Sequence, residues 1–298
     1  MLTLRNLSFL LLPPLLWAGN AVVGRSAAQF ISPMLLNGLR WLVACLLLSV
    51  MLRQGRASLA QLRQHRRWLG MAGLCGVGLY NSLQYLALHS TSPTNVTLMA
   101  ASMPFWMMLN GRLFFKTSWT LPQLLAACLS LLGVVLVLSR GDLTNLQHVQ
   151  WHAGDLYMLL AACSWSWYSW LLTRSPVFEH VSTLGLLHAQ LCAGLIWCGM
   201  LSLAEFLLGY SYVHVSSPLI ASVVFVALGP SLLAYRCWGL AIAAVGPTRA
   251  ALFANFTPLF AALLAAGLLH ERLHGYQILA FMCLFGGVLV SSYRAKPA

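Results

Sequence analysis

The sequence contains very few acidic residues and few charged residues of any kind. Only 5 of its 298 residues are Asp or Glu, and charged residues make up 7% of the chain against 60% hydrophobic residues. The surface of a water-soluble domain carries far more charge than this. The composition therefore excludes a soluble domain and indicates a polytopic membrane protein.

The residue patterns of common active sites and metal centres are also scarce. The acidic residues are scattered along the chain, and the eight cysteines contain no CxxC pair. All eight fall inside apolar runs, where Cys usually packs as a small apolar residue, so we expect no cluster of Cys with His. We therefore expect no cofactor, no metal and no enzymatic activity. A membrane-embedded enzyme such as a lipid-modifying transferase is the less favoured alternative.

Long apolar runs dominate what the sequence does contain. A membrane-spanning helix needs about 20 mostly apolar residues, and ten such runs are present. They are Leu7 to Ala27, Pro33 to Val50, Trp68 to Leu88, Pro93 to Phe115, Leu121 to Leu138, Gly154 to Thr173, Thr183 to Leu208, Pro218 to Trp238, Pro247 to Leu269 and Tyr276 to Tyr293.

The net charge of +12 comes from basic residues that lie mostly between these runs. Five arginines crowd the second loop, between Arg53 and Arg67. Basic loops mark the cytoplasmic side of a membrane protein, which explains the charge without a nucleic-acid partner. We therefore predict a multi-pass protein of the inner (plasma) membrane with both termini in the cytoplasm.

The chain also aligns with itself without a gap. Residues 79–136 lie over residues 233–290 at a constant offset of 154, as from Pro93 to Pro247 or from Gly133 to Gly287. With five runs in each half, the second half enters the membrane from the opposite face, so the copies are inverted. The predicted domains are a first five-helix repeat (residues 1–139), an external linker (140–153) and a second, inverted repeat (154–298).

Several short motifs, taken in order, resemble the ten-helix EamA branch of the drug/metabolite transporter superfamily. The resemblance extends from about Leu15 to Val290. The motifs are LWAGN at 16–20, Ser32-Pro33 with Arg40 seven residues later, NSLQYLAL at 81–88, Gly154-Asp155 leading into Ser164-Trp165, GPTRAALFANFTPLF at 246–260 and His270-Glu271-Arg272.

The resemblance implies an all-α polytopic membrane protein with ten transmembrane helices, arranged as two inverted five-helix repeats around a central cavity. It further implies a carrier, usually an exporter, of small organic metabolites. Cargo in this family includes amino acids, their derivatives and organic cations. One departure is Phe115-Lys116-Thr117 in the first half, where an acidic residue often ends the fourth helix, as Glu271 does in the second half.

Polar residues inside the runs are candidates for binding the cargo, because such side chains are costly at membrane depth. Arg40 and Arg236 would favour a carboxylate or phosphate on the cargo. Alternatively, Arg236 extends to the membrane interface and Arg40 caps a carbonyl. The amides can both donate and accept hydrogen bonds, and interhelical bonding is their alternative role. They are Asn20, Asn81, Gln84 and Asn255.

Aromatic residues could enclose aromatic rings or organic cations. The candidates are Trp17, Tyr80, Trp165, Tyr168, Tyr235 and Trp238. An interfacial belt is the alternative for such residues, and it fits Trp41, Trp68, Trp119 and Trp151. Pro104 and Pro258, equivalent in the two halves, are predicted hinges because proline bends a helix.

These observations predict a secondary transporter that exports small organic metabolites, such as amino acids or their derivatives, by alternating access. Its partners are the metabolite and the lipid bilayer. The main alternative is an exporter of aromatic or quaternary organic cations. No acidic residue lies clearly at membrane depth, so the coupling ion is left open.

Overall fold

The computed structural model describes residues 4–52, 57–91, 96, 99–139, 141–142, 144, 152–176, 181–269 and 275–292. Several sequence features lie outside these residues. Among them are Arg53, most of the predicted linker, and the segment His270 to Arg272.

The described residues are helical almost throughout, because their long apolar runs must satisfy their backbone hydrogen bonds internally. The helices are α1 (Leu4–Ala27), α2 (Pro33–Met51), α3 (Leu59–Gln64), α4 (Arg66–Ala72), α5 (Tyr80–Ser90), α6 (Met103–Phe115), α7 (Leu121–Leu138), α8 (Ala153–Thr173), α9 (Thr183–Leu207), α10 (Ser217–Val226), α11 (Ala234–Val245), α12 (Pro247–Ala254), α13 (Thr257–Leu269) and α14 (Gly275–Ser292). A single antiparallel bridge between Ile31 and Val213 is the only β-type pairing in the described part of the chain.

Four continuous helical segments are long and apolar enough to cross a membrane. They are Leu4–Ala27, Pro33–Met51, Thr183–Leu207 and Ser217–Val245, and shorter apolar helices cover Leu121–Leu136 and Gly275–Ser291. The segment Ser217–Val245 is longer than predicted, because the predicted run ends at Trp238. This architecture is that of a multi-pass membrane protein. We call the end of the bundle at which α1 begins the proximal end, and the other the distal end.

Two of the predicted runs are interrupted near their middle. Turns at Ala101-Ser102 and at Asn255-Phe256 precede α6 and α13. Pro104 and Pro258 each occupy the second position of the helix that follows its turn. Proline has no backbone N–H to bond the carbonyl four residues earlier, which is tolerated in the first turn of a helix but not in its interior. The two prolines therefore mark breaks, which are sharper than the predicted bends.

Two π-helical segments connect helices within longer rods. Gly73–Leu79 joins α4 to α5, and Ala227–Leu233 joins α10 to α11. Wider π turns inside α-helices are frequent at functional sites. Pro230 lies in the second segment, where its missing N–H removes a backbone hydrogen bond. These two segments begin 154 residues apart, as do α6 and α13.

Helices α7 and α14 pack closely against each other in antiparallel orientation. A Cβ at Gly133 would lie 3.0 Å from the carbonyl oxygen of Ala280, and a Cβ at Gly287 would lie 2.9 Å from that of Ala126. Only glycine permits so close an approach at these two positions. The 154-residue offset relates Gly133 to Gly287 and Ala126 to Ala280, so each of these two contacts is the counterpart of the other.

Candidate functional site

Arg40 lies at the centre of a buried polar network. Its side chain is 1% exposed. Nε donates to Ser231 Oγ at 2.7 Å, and Nη1 donates to Asn81 Oδ1 at 3.0 Å, Tyr85 OH at 2.6 Å and Asn20 Oδ1 at 3.4 Å. The network therefore joins α1, α2, α5 and the second π-helical segment around one guanidinium group.

All the hydrogen-bond partners of Arg40 are neutral groups. The acidic side chains of the described residues are Asp142, Asp155 and Glu205, and none of them forms an ion pair with Arg40. The guanidinium also lies over the rings of Trp41 and Tyr85, at 5.1 and 5.7 Å from their centres. Aromatic faces attract a cation but do not neutralise it. A buried positive charge thus lacks an acidic partner within the described part of the chain.

Asn81 connects Arg40 to a cluster of aromatic side chains. Its Nδ2 donates to Tyr235 OH at 2.9 Å, and Tyr235 OH donates to the carbonyl of Gly76 at 2.5 Å. The Tyr235 ring lies 5.1 Å from the Trp165 ring and 4.7 Å from the Trp41 ring. The polar network and the aromatic cluster are therefore continuous.

Trp165 is the hub of the aromatic cluster. Its ring centre lies 5.2 Å from that of Trp17, 4.7 Å from Tyr80, 5.1 Å from Tyr168 and 5.5 Å from Trp238. Each such pair contributes about 0.5–1.5 kcal/mol beyond the burial of its area. The six predicted aromatic residues thus form one packed group.

Two indole N–H groups in this region have no hydrogen-bond partner among the described residues. They belong to Trp165 and Trp41, and both side chains are 0% exposed. By contrast, Trp238 Nε1 donates to Ser169 Oγ at 3.0 Å, and Tyr168 OH donates to Gln190 Oε1 at 3.0 Å. A buried donor without an acceptor costs about 1–3 kcal/mol, which is a reason to expect a functional role.

A small cavity of about 50 Å³ lies between the two helix breaks. Trp17, Tyr80, Gln84 and Asn255 line it, together with Ala101. Gln84 Oε1 accepts from Asn20, whereas Asn255 donates to the Ala101 carbonyl at 3.3 Å and to a serine of α7. Pockets that hold small-molecule ligands measure about 300–1,000 Å³, so cargo could enter here only after the aromatic cluster rearranges.

A larger cavity of about 210 Å³ lies at the proximal end. Arg236 lines it but is exposed and takes no part in the Arg40 network. Tyr168, Tyr235 and Gln190 form its inner wall. Because Tyr168 and Tyr235 also belong to the aromatic cluster, this cavity ends where that cluster begins.

The structure thus brings together Arg40, the polar residues Asn20, Asn81 and Gln84, and the aromatic residues. Asn255 lies on the far side of the small cavity. Arg236 lies outside the Arg40 network, in the wall of the proximal cavity. The assignment of Trp41 to an interfacial belt was wrong, because this residue is fully buried beside Arg40. Ser231 was missed as a partner of Arg40, although it directly follows Pro230 inside an apolar run.

Two buried carboxylates act at helix N-termini near the distal end. Glu205 accepts from Ser32 Oγ at 2.5 Å and from two backbone N–H groups at the start of α2. Asp155 accepts from Thr91 Oγ1 at 2.9 Å and from the backbone N–H of His152 at 2.8 Å. Negative charge at a helix N-terminus is stabilising. Both carboxylates therefore lie near the ends of long helices.

The loop after α9 closes over the loop between α1 and α2. Tyr212 OH donates to the Ala28 carbonyl at 2.5 Å and bonds His89 Nε2 at 3.1 Å. Partial burial, and secondarily the Glu205 carboxylate, raise the pKa of Tyr212. His89 lies in the last turn of α5. These contacts tie the distal loops together.

One sequence motif was overlooked. Residues 270–274 read H-E-R-L-H, which matches the HExxH spacing that binds zinc when it lies on a helix. The segment lies outside the described residues.

Comparisons with known proteins agree with this architecture. The family model for the EamA-like transporter family matches residues 4–139 and 152–293. A solved crystal structure superimposes with a TM-score of 0.70 at 21% identity, covering 97% of this chain and 96% of the other, which supports the fold alone.

Curated relatives are similar over most of their length. The Bacillus subtilis "Uncharacterized transporter YyaM" is 23% identical over 84% of this chain and 81% of its own. A "Probable amino-acid metabolite efflux pump" of Salmonella typhimurium is 23% identical over 95% and 93%, and the Escherichia coli protein of that name is 21% identical over 96% and 94%. These names point to a transporter rather than an enzyme. The chain belongs to the EamA-like transporter family of multi-pass membrane proteins.

Proposed function

We propose that this transporter exports small carboxylate-bearing metabolites, such as amino acids or their derivatives, by alternating access across the inner membrane. The observation that carries the proposal is Arg40, buried with neutral partners and without an acidic one among the described residues. An isolated charge at membrane depth costs about 2.5–3.5 kcal/mol on insertion scales. A cargo carboxylate would offset that cost through charge-assisted hydrogen bonds.

The aromatic cluster supplies the second half of the proposed binding site. Because Asn81 and Tyr235 link it to Arg40, a cargo could place its carboxylate at Arg40 and its side chain among the rings. The free indole N–H of Trp165 is one further donor for the cargo. The efflux-pump names of the Salmonella and Escherichia relatives agree with this cargo class.

We further propose that the chain consists of ten spans in two inverted five-helix halves, with hinges at Pro104 and Pro258. The breaks, the π-helical segments and the α7–α14 packing all recur at the 154-residue offset, and this supports the proposal. Asn81 also hydrogen-bonds Tyr235, its own counterpart at that offset. Such self-contacts belong near a two-fold axis, where inverted-repeat transporters bind their cargo.

In this arrangement the proximal end faces the cytoplasm. The basic residues of α3 and α4 lie there, including Arg63, Arg66 and Arg67. The proximal cavity of about 210 Å³ would then be the entrance for cytoplasmic cargo. Rearrangement of the aromatic cluster would pass the cargo towards the distal side, as export requires.

The aromatic cluster also supports export of organic cations, which bind to ring faces. Arg40 disfavours this second function, because like charges in one site repel each other.

A transport assay in proteoliposomes tests the proposal. The purified protein would be offered a mixture of amino acids, amino-acid derivatives and aromatic cations, with and without a pH gradient, and uptake would be read by mass spectrometry. Saturable uptake of unmodified zwitterionic or anionic solutes is expected. Uptake of cations alone would favour the second function, and chemical conversion of a solute would favour an enzyme.

A further inference from the structure

Cys45, His188 and Cys192 form a cluster that lies outside the Arg40 network. Cys45 lies on α2, whereas His188 and Cys192 lie one turn apart on the facing helix α9. The two Sγ atoms are 3.7 Å apart, and Cys192 Sγ lies 3.9 Å from Nδ1 and 3.8 Å from Nε2 of His188. The expectation that Cys and His do not cluster was therefore wrong, because the third residue comes from a helix more than 140 positions away in sequence.

These distances match those of a tetrahedral metal site. When two thiolates bind zinc at about 2.3 Å, the sulfurs lie roughly 3.8 Å apart, and a thiolate and an imidazole nitrogen lie roughly 3.6 Å apart. The observed sulfur–sulfur distance is within about 0.1 Å of the first value, and the two sulfur–nitrogen distances from Cys192 exceed the second by about 0.2–0.3 Å. The ligand atoms of all three residues lie within 4.8 Å of one another. Small side-chain movements would therefore complete three of the four coordination positions.

Ser49 supplies the hydrogen bond that a metal-binding histidine normally makes through its other ring nitrogen. Its Oγ lies 2.7 Å from His188 Nε2. In the tautomer with a proton on Nε2, the imidazole donates to Ser49 and keeps the Nδ1 lone pair for a metal. Such a second bond orients a ligating histidine and contributes to metal affinity.

Charge also favours a divalent ion here. On binding, the two thiols release their protons, so two thiolates neutralise the dication and the loaded site carries no net charge. A neutral complex avoids the cost of placing an unpaired ion between membrane helices. Thiolate and imidazole ligands select ions of the zinc type over magnesium or calcium.

We propose that Cys45, Cys192 and His188 bind one Zn²⁺ ion, with Ser49 as a positioning residue and one coordination position open to water. The ion links α2 to α9. If the two halves move against each other as proposed above, bound zinc holds them together and slows transport. This second consequence rests on the proposed function, whereas metal binding does not.

The test uses the purified, reduced, metal-free full-length protein in detergent. Titration with Cd²⁺ should give a thiolate-to-metal charge-transfer band that saturates at one equivalent, and Co²⁺ should give the visible spectrum of a tetrahedral sulfur-containing site. Cys45→Ser and Cys192→Ser should each abolish the saturable band. Ser49→Ala should weaken Cd²⁺ binding by about 10- to 100-fold.

Two control variants separate this site from other possible ligands. Cys128→Ser changes an exposed thiol on α7, and His274→Ala disrupts the overlooked HExxH motif; both should keep the band. Thermal unfolding without metal establishes that each variant is folded. If a variant is unfolded, the wild-type Co²⁺ spectrum decides the question, because it reports sulfur ligation without any substitution.

Three results would overturn the proposal: a wild-type protein without the charge-transfer band, a band that persists in both cysteine variants, or a Co²⁺ spectrum without sulfur ligands. Zinc should also inhibit transport in the wild type and not in Cys45→Ser. Binding without inhibition would refute only the locking of the halves. Absence of transport for every solute would refute the proposed function and leave the metal result intact.

Discussion

Replacement of Arg40 by Met is the sharpest test of the proposed site. Methionine keeps much of the side-chain length and flexibility but removes the charge and every donor. We expect Arg40→Met to fold and to lose transport of carboxylate-bearing solutes selectively. The expected retention of folding and the expected loss of transport rest on different contacts in the structure.

The effect on stability is expected to be small because two costs offset each other. Removing the charge relieves about 2.5–3.5 kcal/mol. Three of the four acceptors keep a hydrogen bond, since Ser231 donates to the Val226 carbonyl and Tyr85 OH still donates to Asn20 Oδ1. Only Asn81 Oδ1 loses its bond, at a cost of about 1–3 kcal/mol. The free energy of unfolding should therefore change by no more than about 2.5 kcal/mol.

The effect on transport is expected to be large. A hydrogen bond to a charged group contributes about 1.5–3 kcal/mol, and 1.4 kcal/mol corresponds to a factor of ten. Loss of even one bond between Arg40 and a carboxylate should raise KM by about 10- to 150-fold. The methyl ester of the same solute lacks the carboxylate, so its KM should change by less than about threefold.

The assay compares acid and ester in proteoliposomes containing equal amounts of folded protein. Arg112→Met, an exposed arginine on α6, is the matched control and should leave both solutes unaffected. Unchanged transport of the acid by Arg40→Met would refute the proposed role of Arg40. Equal loss for acid and ester would show that Arg40 is structural.

Three further predictions concern packing, orientation and a helix cap. Gly73→Ala should lower the free energy of unfolding by about 1–3 kcal/mol, because the new Cβ would lie 2.7 Å from the backbone of α9. The control Gly70→Ala adds a Cβ with nothing within 4 Å and should be neutral or up to about 1 kcal/mol more stable. Equal melting temperatures for the two variants would contradict this packing argument. In a cysteine-free background and intact cells, an impermeant maleimide should label Thr144→Cys but not Ser58→Cys, and the reverse would refute the predicted orientation. Glu205→Gln should cost about 0.5–2 kcal/mol in thermal unfolding, because it removes the negative charge at the start of α2; an unchanged melting temperature would count against this cap.

Much of the architecture could be predicted because apolar runs must be helical in a membrane. The residues around Arg40 could also be proposed, since polar side chains are costly at that depth. The breaks before Pro104 and Pro258 were predicted only as bends. Hydropathy reflects some 20 residues at once, so a turn of two residues hardly alters it.

Contacts between distant helices could not be derived from the sequence in the same way. Trp41 is buried against Tyr235, which lies on α11, nearly 200 positions further along the chain. The cluster of Cys45 with His188 and Cys192 depends on how α2 faces α9. Periodicity describes which face of one helix is apolar, but it carries no information about which helix covers that face.

The 154-residue offset, together with Arg40, leads to an expectation about how cargo is oriented. If the halves are inverted copies, the contacts from Asn81 to Tyr235 and from Asn255 to Ala101 lie close to the axis that relates them. A symmetric site would hold a cargo equally well in either direction. Arg40 lies to one side, bound to Asn81, and the aromatic rings around Trp165 adjoin it through Tyr235. The charge at one end and the rings at the other therefore make the site asymmetric, which the repeat alone would not do. We expect an amphipathic cargo to bind in a single orientation.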